Sequence, residues 1–178
     1  RGCIYLGILS DLTTGPFAPL AVELVRGQQD FWARVNANGG IGGKFDVDVR
    51  RYTRDNKYNP EEHVAKLRQI EPHILALAQS LGTATTLAAL DIMKRENLIA
   101  SPATWWSGWA FDDDDTVLES GYNYCLEAMN GLDYMAGLIP INARSFIHVA
   151  MVIFDTKNEA QVGAAYDVAR RLVRDAAK

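Results

Sequence analysis

A chain of 178 residues is long enough for one domain with a sizeable core, or for one domain and part of a second. Hydrophobic residues make up 48% of it and charged residues 22%, which is typical of a globular protein. The net charge of -4 argues against a broad basic surface of the kind that binds nucleic acid or anionic membranes. No apolar run reaches the roughly 20 residues that a membrane-spanning helix needs.

The chain begins with a predicted strand and a predicted amphipathic helix. The apolar run Cys3–Leu9 ends at polar and turn residues, which predicts a buried strand. From Leu20 onward apolar residues recur at helical spacing, and this pattern predicts an amphipathic helix. Its apolar face would consist of Leu20, Leu24, Gly27, Phe31 and Val35. Asn38-Gly39-Gly40 predicts the end of this helix.

The same alternation of strand and helix continues to about residue 100. Phe45–Val49 alternates apolar and charged residues, as a strand with one solvated face does. Asn59-Pro60-Glu61-Glu62 is typical of a helix start and predicts a helix through about Ile70. The next predicted elements are a strand at Ile74–Ala78, a helix at Thr83–Arg95 and a strand at Leu98–Ala100. This order predicts an α/β fold, a parallel sheet with helices on both faces.

The remainder of the chain is less regular. Residues 101–121 form a looser stretch with three tryptophans and the acidic run Asp112–Asp115. We predict a helix over Tyr122–Met135, a strand over Phe146–Phe154 and a helix over about Glu159–Ala176. The last strand and helix either extend the first sheet or begin a second lobe, since a lone pair cannot bury its own faces.

Three segments of this predicted fold could line a ligand site. In an open parallel sheet, ligands bind beyond the carboxyl ends of the strands. Ser10–Ala21 follows the first strand, Gln79–Thr86 the third and Ser101–Trp109 the fourth. All three segments would therefore open on the same edge of the sheet.

The segment Gln79–Thr86 places small and hydroxylated residues directly before a predicted helix. Backbone N–H groups at a helix start favour an anion such as a carboxylate. The alternative is that Thr83 simply caps the helix with its hydroxyl group.

The other two segments offer a turn and flat side chains. Thr14-Gly15-Pro16 predicts a turn that does not bind phosphate, because the glycine and lysine spacings of phosphate loops are absent. Ser101 and Thr104 offer hydroxyl groups. Rings for stacking or cation–π contacts come from Trp105, Trp106 and Trp109. These rings could instead pack against the sheet or a partner domain.

No set of residues for catalysis or metal binding stands out. His63, His73 and His148 lack a second histidine or cysteine at metal-ligand spacing. The sequence has no serine nucleophile elbow and no evident nucleophile–base pair. Cys3, in a predicted strand, and Cys125, in a predicted helix, are both interpreted as buried free thiols. We therefore predict no metal and no cofactor, and these absences count against an enzyme.

Several motifs, taken in order, resemble one family of binding proteins. They are "DLTTGPFA", "VNANGGIGGK", "TRDNKYNPEEHVAKLRQI", "SLGTATT" and "LIASPAT". Together they span Ile4 to about Thr104, and "YNYCLEAMNGLDYM" and "HVAMVIFD" extend the likeness more weakly to about Asp155. In this order and spacing the sequence resembles the type I periplasmic solute-binding proteins of ABC importers, in the branch that binds branched-chain amino acids (Leu/Ile/Val).

The resemblance implies two α/β lobes with the ligand held between them. We expect an N-terminal lobe at residues 1–121, and a crossing segment with part of a second lobe at residues 122–178. The resemblance also implies that the chain covers about the first half of a family member.

The resemblance further implies which residues contact the ligand. Family members hold the ligand's carboxylate after the third strand, and groups after the fourth strand contact its amine and carboxylate. A loop after the first strand adds a side chain. By position, the implied ligand-binding residues are Phe17, Leu20, Ser80, Leu81, Gly82, Thr83, Ala103, Thr104 and Trp105. Family members often carry an aromatic residue where this sequence has Leu20. The tryptophan-rich loop suits an aromatic or larger organic acid, which is an alternative ligand.

The implied function is capture of an amino acid or related small carboxylate in the periplasm or another extracytoplasmic location, for delivery to a membrane ABC permease. Nucleic acid is not an expected partner. Two alternatives stay open: a ligand-sensing regulator or receptor of the same fold, and an α/β enzyme that uses the same edge of the sheet.

Overall fold

The computed structural model describes residues 1–110, 116–119, 121 and 123–138. Three predicted features lie outside the described residues: the acidic run Asp112–Asp115, the strand Phe146–Phe154 and the helix at about Glu159–Ala176.

The chain divides into two compact units. The first comprises Arg1–Thr104 and Asp114–Ser120, and the second comprises Trp105–Asp113 and Gly121–Lys178. The division into lobes near residue 121 stays a prediction.

Four parallel strands form the sheet of the first unit, in the order β2-β1-β3-β4. The strands are β1 (Gly2–Ser10), β2 (Phe45–Asp55), β3 (Ala76–Leu81) and β4 (Ala100–Ala103). The helices of this unit are α1 (Ala18–Ala37), α2 (Pro60–Ile70) and α3 (Thr83–Arg95). The second unit contains α4 (Tyr124–Leu138). Short 3-10 turns occupy Glu71–His73 and Ser107–Ala110.

Neighbouring residues of β1 pack in the cores on opposite faces of this sheet. Leu9 packs in a core cluster with Leu67 of α2 and Met93 of α3. Ile8 packs in a second cluster with Val25 of α1 and Val47 of β2. Because successive strand side chains point to opposite faces, α1 covers one face and α2 and α3 cover the other. The predicted parallel sheet with helices on both faces is confirmed.

The helix boundaries follow local signals in the sequence. Asn59 caps α2, because its side-chain oxygen accepts a hydrogen bond from the Glu62 amide at 3.0 Å. After α1, Gly40 adopts a positive φ of 70° and its amide donates to the carbonyl oxygen of Val35 at 2.9 Å. A Cβ atom on Gly40 would lie 2.1 Å from the carbonyl oxygen of Phe45, so glycine is required at this stop.

The predicted strand boundaries are shifted. β2 continues to Asp55, and β3 covers Ala76–Leu81 where Ile74–Ala78 was expected. Gln79 and Ser80 belong to the strand although both are polar, because both are buried and hydrogen-bonded. An apolar run therefore underestimates a strand whose last residues are buried polar ones.

The predicted apolar face of α1 is wrong. Its members Leu20, Leu24 and Phe31 are exposed, whereas Ala21 and Val25 are the buried residues of the helix. The helix carries two adjacent apolar stripes one residue apart, and periodicity alone cannot choose between them. Ala21 is small enough to let the helix lie close to the sheet, which favours the second stripe.

The expected burial of both thiols holds for only one of them. Cys125 in α4 is buried, but Cys3 is exposed. Burial along β1 increases from the exposed start of the strand to its fully buried end, and Cys3 lies at the exposed start. Among the described helices, none has the length and apolarity to cross a membrane.

Candidate functional site

The carboxyl ends of the four strands bring four loops to one edge of the first unit. Phe17 lies in the loop between β1 and α1, and Tyr58 in the loop between β2 and α2. Gly82 lies between β3 and α3, and Thr104 follows β4. We refer to Phe17, Tyr58, Gly82, Thr83 and Thr104 together as the rim.

A buried carboxylate shapes the loop that carries Phe17. Asp11 is 0% exposed, and its two oxygens accept hydrogen bonds from the amides of Gly15 at 2.9 Å and Phe17 at 2.8 Å. A Cβ atom on Gly15 would lie 2.3 Å from the Asp11 carboxylate, so only glycine leaves room for this arrangement. The backbone at Phe17 is therefore fixed by the residue that directly follows β1.

A second carboxylate joins this loop to the next one. Asp55, the last residue of β2, accepts hydrogen bonds from the Leu12 amide at 2.9 Å and from the Thr13 hydroxyl. It also accepts one from the Lys57 amide at 2.9 Å. Partial burial tends to raise the pKa of Asp55, but these hydrogen bonds outweigh it and the pKa is lowered.

The loop between β2 and α2 is bent sharply enough to place Tyr58 beside Phe17. Lys57 and Tyr58 both have positive φ angles, 53° and 55°. For residues other than glycine this conformation costs roughly 1–2 kcal/mol each. The Tyr58 amide donates to the side-chain oxygen of Asn56 at 2.9 Å, which holds the bend. The rings of Tyr58 and Phe17 meet with their centroids 4.6 Å apart.

Gly82 connects this aromatic pair to the start of α3. Its φ is +96°, and a Cβ atom there would lie 2.5 Å from Cε2 of Tyr58 and 2.8 Å from Oγ1 of Thr85. As the N-cap residue, Gly82 supplies no side-chain hydrogen bond to the helix. The amides of the first turn have no partner within the helix, so they are left to solvent or a ligand.

Thr83 does not cap α3, so the capping alternative for its hydroxyl group is wrong. It is the first helical residue, and its Oγ1 lies 2.5 Å from Oγ1 of Thr104. This contact joins the start of α3 to the end of β4. Two hydroxyl groups and the first-turn amides of the helix thus gather at one place on the rim.

A buried polar network lies directly beneath the rim. His63 of α2 is 0% exposed; its Nδ1 is 2.9 Å from Nδ2 of Asn56 and its Nε2 is 3.2 Å from Oγ of Ser80. Oγ of Ser80 lies 2.8 Å from Oγ1 of Thr86. The network therefore ties together the ends of β2 and β3 and the helices α2 and α3.

The hydrogen bonds also define the tautomer of His63. Because Oδ1 of Asn56 accepts from the Tyr58 amide, Nδ2 faces His63 and donates to Nδ1. The imidazole proton then sits on Nε2 and is donated to Ser80. Burial lowers the pKa of His63 to about 4, so the ring is neutral at physiological pH.

The remaining candidate residues differ in accessibility. Ser80 is 0% exposed and Leu81 is 6% exposed, and the Ser80 hydroxyl is engaged in the network. Ala103 is half-buried at the end of β4. Leu20 is 60% exposed on α1, and Trp105 is 36% exposed and belongs to the second unit.

Sequence reasoning missed Tyr58, Asp11, Asn56 and His63. Asn56 and Tyr58 precede the helix start predicted at Asn59, and no role of their own was predicted for them. They lie at a strand-to-helix junction, and every such junction of a parallel sheet opens on the same edge. Within the described ranges, no group of three or more His, Cys, Asp or Glu residues could hold a metal ion.

The sequence as a whole matches a known family. The chain belongs to the periplasmic binding protein family, which matches residues 4–177. The expected likeness to type I periplasmic solute-binding proteins is therefore confirmed. No curated protein sequence matches the chain.

Solved structures share the fold. A fatty acid ABC transporter substrate-binding protein from Thermomonospora curvata is 26% identical, with a TM-score of 0.69 over 77% of this chain and 34% of that one. A possible leucine/isoleucine/valine-binding protein from Rhodopirellula baltica SH 1 is 18% identical, with a TM-score of 0.69 over 77% and 36%.

A third structure is the branched-chain amino acid transporter substrate binding protein LivJ from Streptococcus pneumoniae, in complex with isoleucine. It is 18% identical, with a TM-score of 0.63 over 75% of this chain and 38% of that one. The matched region thus spans 34% to 38% of the length of these three proteins.

Proposed function

We propose that this chain is part of an extracytoplasmic solute-binding component of an ABC transporter. In this proposal the rim binds the carboxylate of a small ligand, an amino acid or a related organic acid, and the ligand is delivered to a membrane permease without chemical change. Membership of the periplasmic binding protein family supports the capture of a solute. The main support for a carboxylate ligand is the arrangement of hydrogen-bonding groups at the start of α3.

The start of α3 combines the features that a carboxylate requires. The N-terminus of a helix carries a partial positive charge, and its first amides point outward as hydrogen-bond donors. Gly82 does not cover these amides with a side chain, and the Thr83 and Thr104 hydroxyls lie beside them. Donors of both kinds can converge on the two oxygens of one carboxylate.

The similarity to a substrate-binding protein named for fatty acids fits this assignment. A fatty acid and an amino acid differ in their chains but share a carboxylate. A site built on helix amides recognises the shared group, while the surrounding side chains recognise the rest of the ligand.

Calorimetric titration of the complete protein tests this proposal. We expect binding of one or more amino acids or aromatic acids, and no binding of the corresponding primary amides, which lack the carboxylate. Thr83→Leu should weaken binding by at least about tenfold, because the larger side chain covers the helix amides and removes a hydroxyl group. Thr83→Ser, which keeps the hydroxyl, should retain binding.

The matched control is Ala88→Leu, which adds the same side chain at an exposed position of the same helix. It should leave both affinity and folding unchanged. Full-strength binding of an acid by Thr83→Leu, or equal binding of acids and amides, would show that the site lies elsewhere.

A further inference from the structure

Tyr58 lies where it can contact the part of the ligand next to the carboxylate. Its ring is half-buried, and it packs against Phe17, whose own side chain is 40% exposed. The two rings are tilted by 53° with their centroids 4.6 Å apart. They therefore form one apolar surface at the rim, made from two separate loops.

This aromatic surface directly adjoins the start of α3. The Tyr58 ring lies against Gly82, where an added Cβ atom would be 2.5 Å from Cε2. Gly82 is the residue immediately before the first helical residue. A carboxylate bound to the first-turn amides would thus have the Tyr58 ring within reach of its substituent.

The loop between β2 and α2 holds the Tyr58 ring in this position. The chain adopts two consecutive left-handed residues, Lys57 and Tyr58, to turn the ring toward Phe17. Asp55 and Asn56 hold that turn with hydrogen bonds to the amides of the same two residues. A side chain that only filled space would not need a position defined by two left-handed residues and two side-chain hydrogen bonds to their amides.

We propose that Tyr58, together with Phe17, determines which acids the protein binds, and that it favours acids whose carboxylate is carried next to a flat, unsaturated or aromatic group. This inference rests on the proposed function, because it assumes a carboxylate at the start of α3. Aromatic rings pack favourably against other rings in tilted arrangements such as the one that Phe17 and Tyr58 already adopt. A third ring from the ligand would extend this packing.

The test is a ratio of affinities in the complete protein. Phenylacetate and 3-methylbutanoate carry the same carboxylate, one beside a flat ring and the other beside a branched aliphatic group. Wild type should bind phenylacetate more tightly, by about threefold to tenfold. Tyr58→Phe should keep this preference, whereas Tyr58→Leu, apolar but not flat, should abolish it.

The matched control is Tyr134→Ala, which removes a tyrosine that is 71% exposed on α4. It should leave the ratio unchanged. Thermal unfolding of each variant checks that the fold is intact. If Tyr58 had only a structural role, Tyr58→Leu would weaken the binding of both acids equally and leave the ratio of affinities unchanged.

The possible outcomes separate the two proposals. If the protein binds acids but Tyr58→Leu does not change the ratio, the inference about Tyr58 is wrong while the carboxylate site stands. If wild type binds neither these acids nor any other carboxylate, both proposals fail. Loss of the preference for phenylacetate in Tyr58→Leu alone supports the inference.

Discussion

Gly82 is the single residue on which the geometry of the rim most directly depends. It has a positive φ, it contacts the Tyr58 ring, and it leaves the start of α3 uncovered. No other amino acid satisfies these conditions together, because any side chain would collide with Tyr58 and Thr85.

Replacement of Gly82 by alanine should therefore destabilise the protein. We expect the free energy of unfolding to fall by about 2 kcal/mol or more, from the left-handed backbone together with the steric collision. Chemical denaturation measures this. Gly27→Ala is the control: nothing lies within 4 Å of its added methyl group, so it should stabilise α1 by about 0.5–1 kcal/mol. Equal stability of Gly82→Ala and wild type would contradict the described backbone.

His63 should make stability depend on pH. The pKa of His63 is about 4 in the folded protein and 6.5 when the side chain is not buried, as in the unfolded chain. Between these two pH values the unfolded chain therefore binds more protons than the folded protein. The contribution of neutral His63 to the free energy of unfolding is complete above a pH of about 6.5 and is lost as the pH falls toward about 4. This contribution is about 3 kcal/mol, because a shift of one pKa unit corresponds to about 1.36 kcal/mol.

Denaturation of wild type and His63→Gln across pH 4 to 7 checks this contribution. Glutamine cannot titrate, so the difference in unfolding free energy between the two proteins should itself change with pH in this window. A difference that stays constant from pH 4 to pH 7 would show that His63 is not buried in its neutral form.

At the scale of single elements, α1 shows the limit of reasoning from periodicity. The spacing of Leu20, Leu24 and Phe31 correctly predicted a helix, but the stripe beginning one residue later is the buried one. Both stripes are apolar, and only the packing of Ala21 and Val25 on the sheet decides between them. Periodicity identifies the type of element, whereas tertiary contacts select the buried face.

The two stripes of α1 can be separated by introducing a charge in each. Val25→Asp should lower the free energy of unfolding by about 3 kcal/mol or more, because the carboxylate would be buried without a partner. Leu24→Asp, at a position that is 42% exposed, should cost about 1 kcal/mol or less. Urea denaturation of both variants gives the comparison, and a larger loss in Leu24→Asp would reverse the assignment of the faces.

At the scale of the whole molecule, the alternation of strands and helices was enough to predict a parallel sheet with helices on both faces. The placement of the candidate site on its carboxyl edge follows from that topology. The order β2-β1-β3-β4 and the contact between Thr83 and Thr104 come only from the structure. Two hydroxyls 21 residues apart in the chain carry no local signal of their pairing.

Tyr58 and the network around His63 could not be predicted for a related reason. Nothing in the sequence marks a tyrosine as left-handed, and a single histidine on an amphipathic helix gives no sign of its partners. Asn56 follows β2 and Ser80 lies in β3, two strands that are not neighbours in the sheet, yet both hydrogen-bond to His63 of α2. Such contacts depend on the complete fold.

The most direct test of the account is to watch the amides at the start of α3 while a carboxylate is added. In a 15N-labelled sample of the complete protein titrated with an acid that binds, the Thr83 and Ala84 amide resonances should show the largest changes within the first unit. The corresponding primary amide, which lacks the carboxylate, should leave both resonances unchanged. Saturable binding of the acid that leaves these two resonances in place would contradict the central claim.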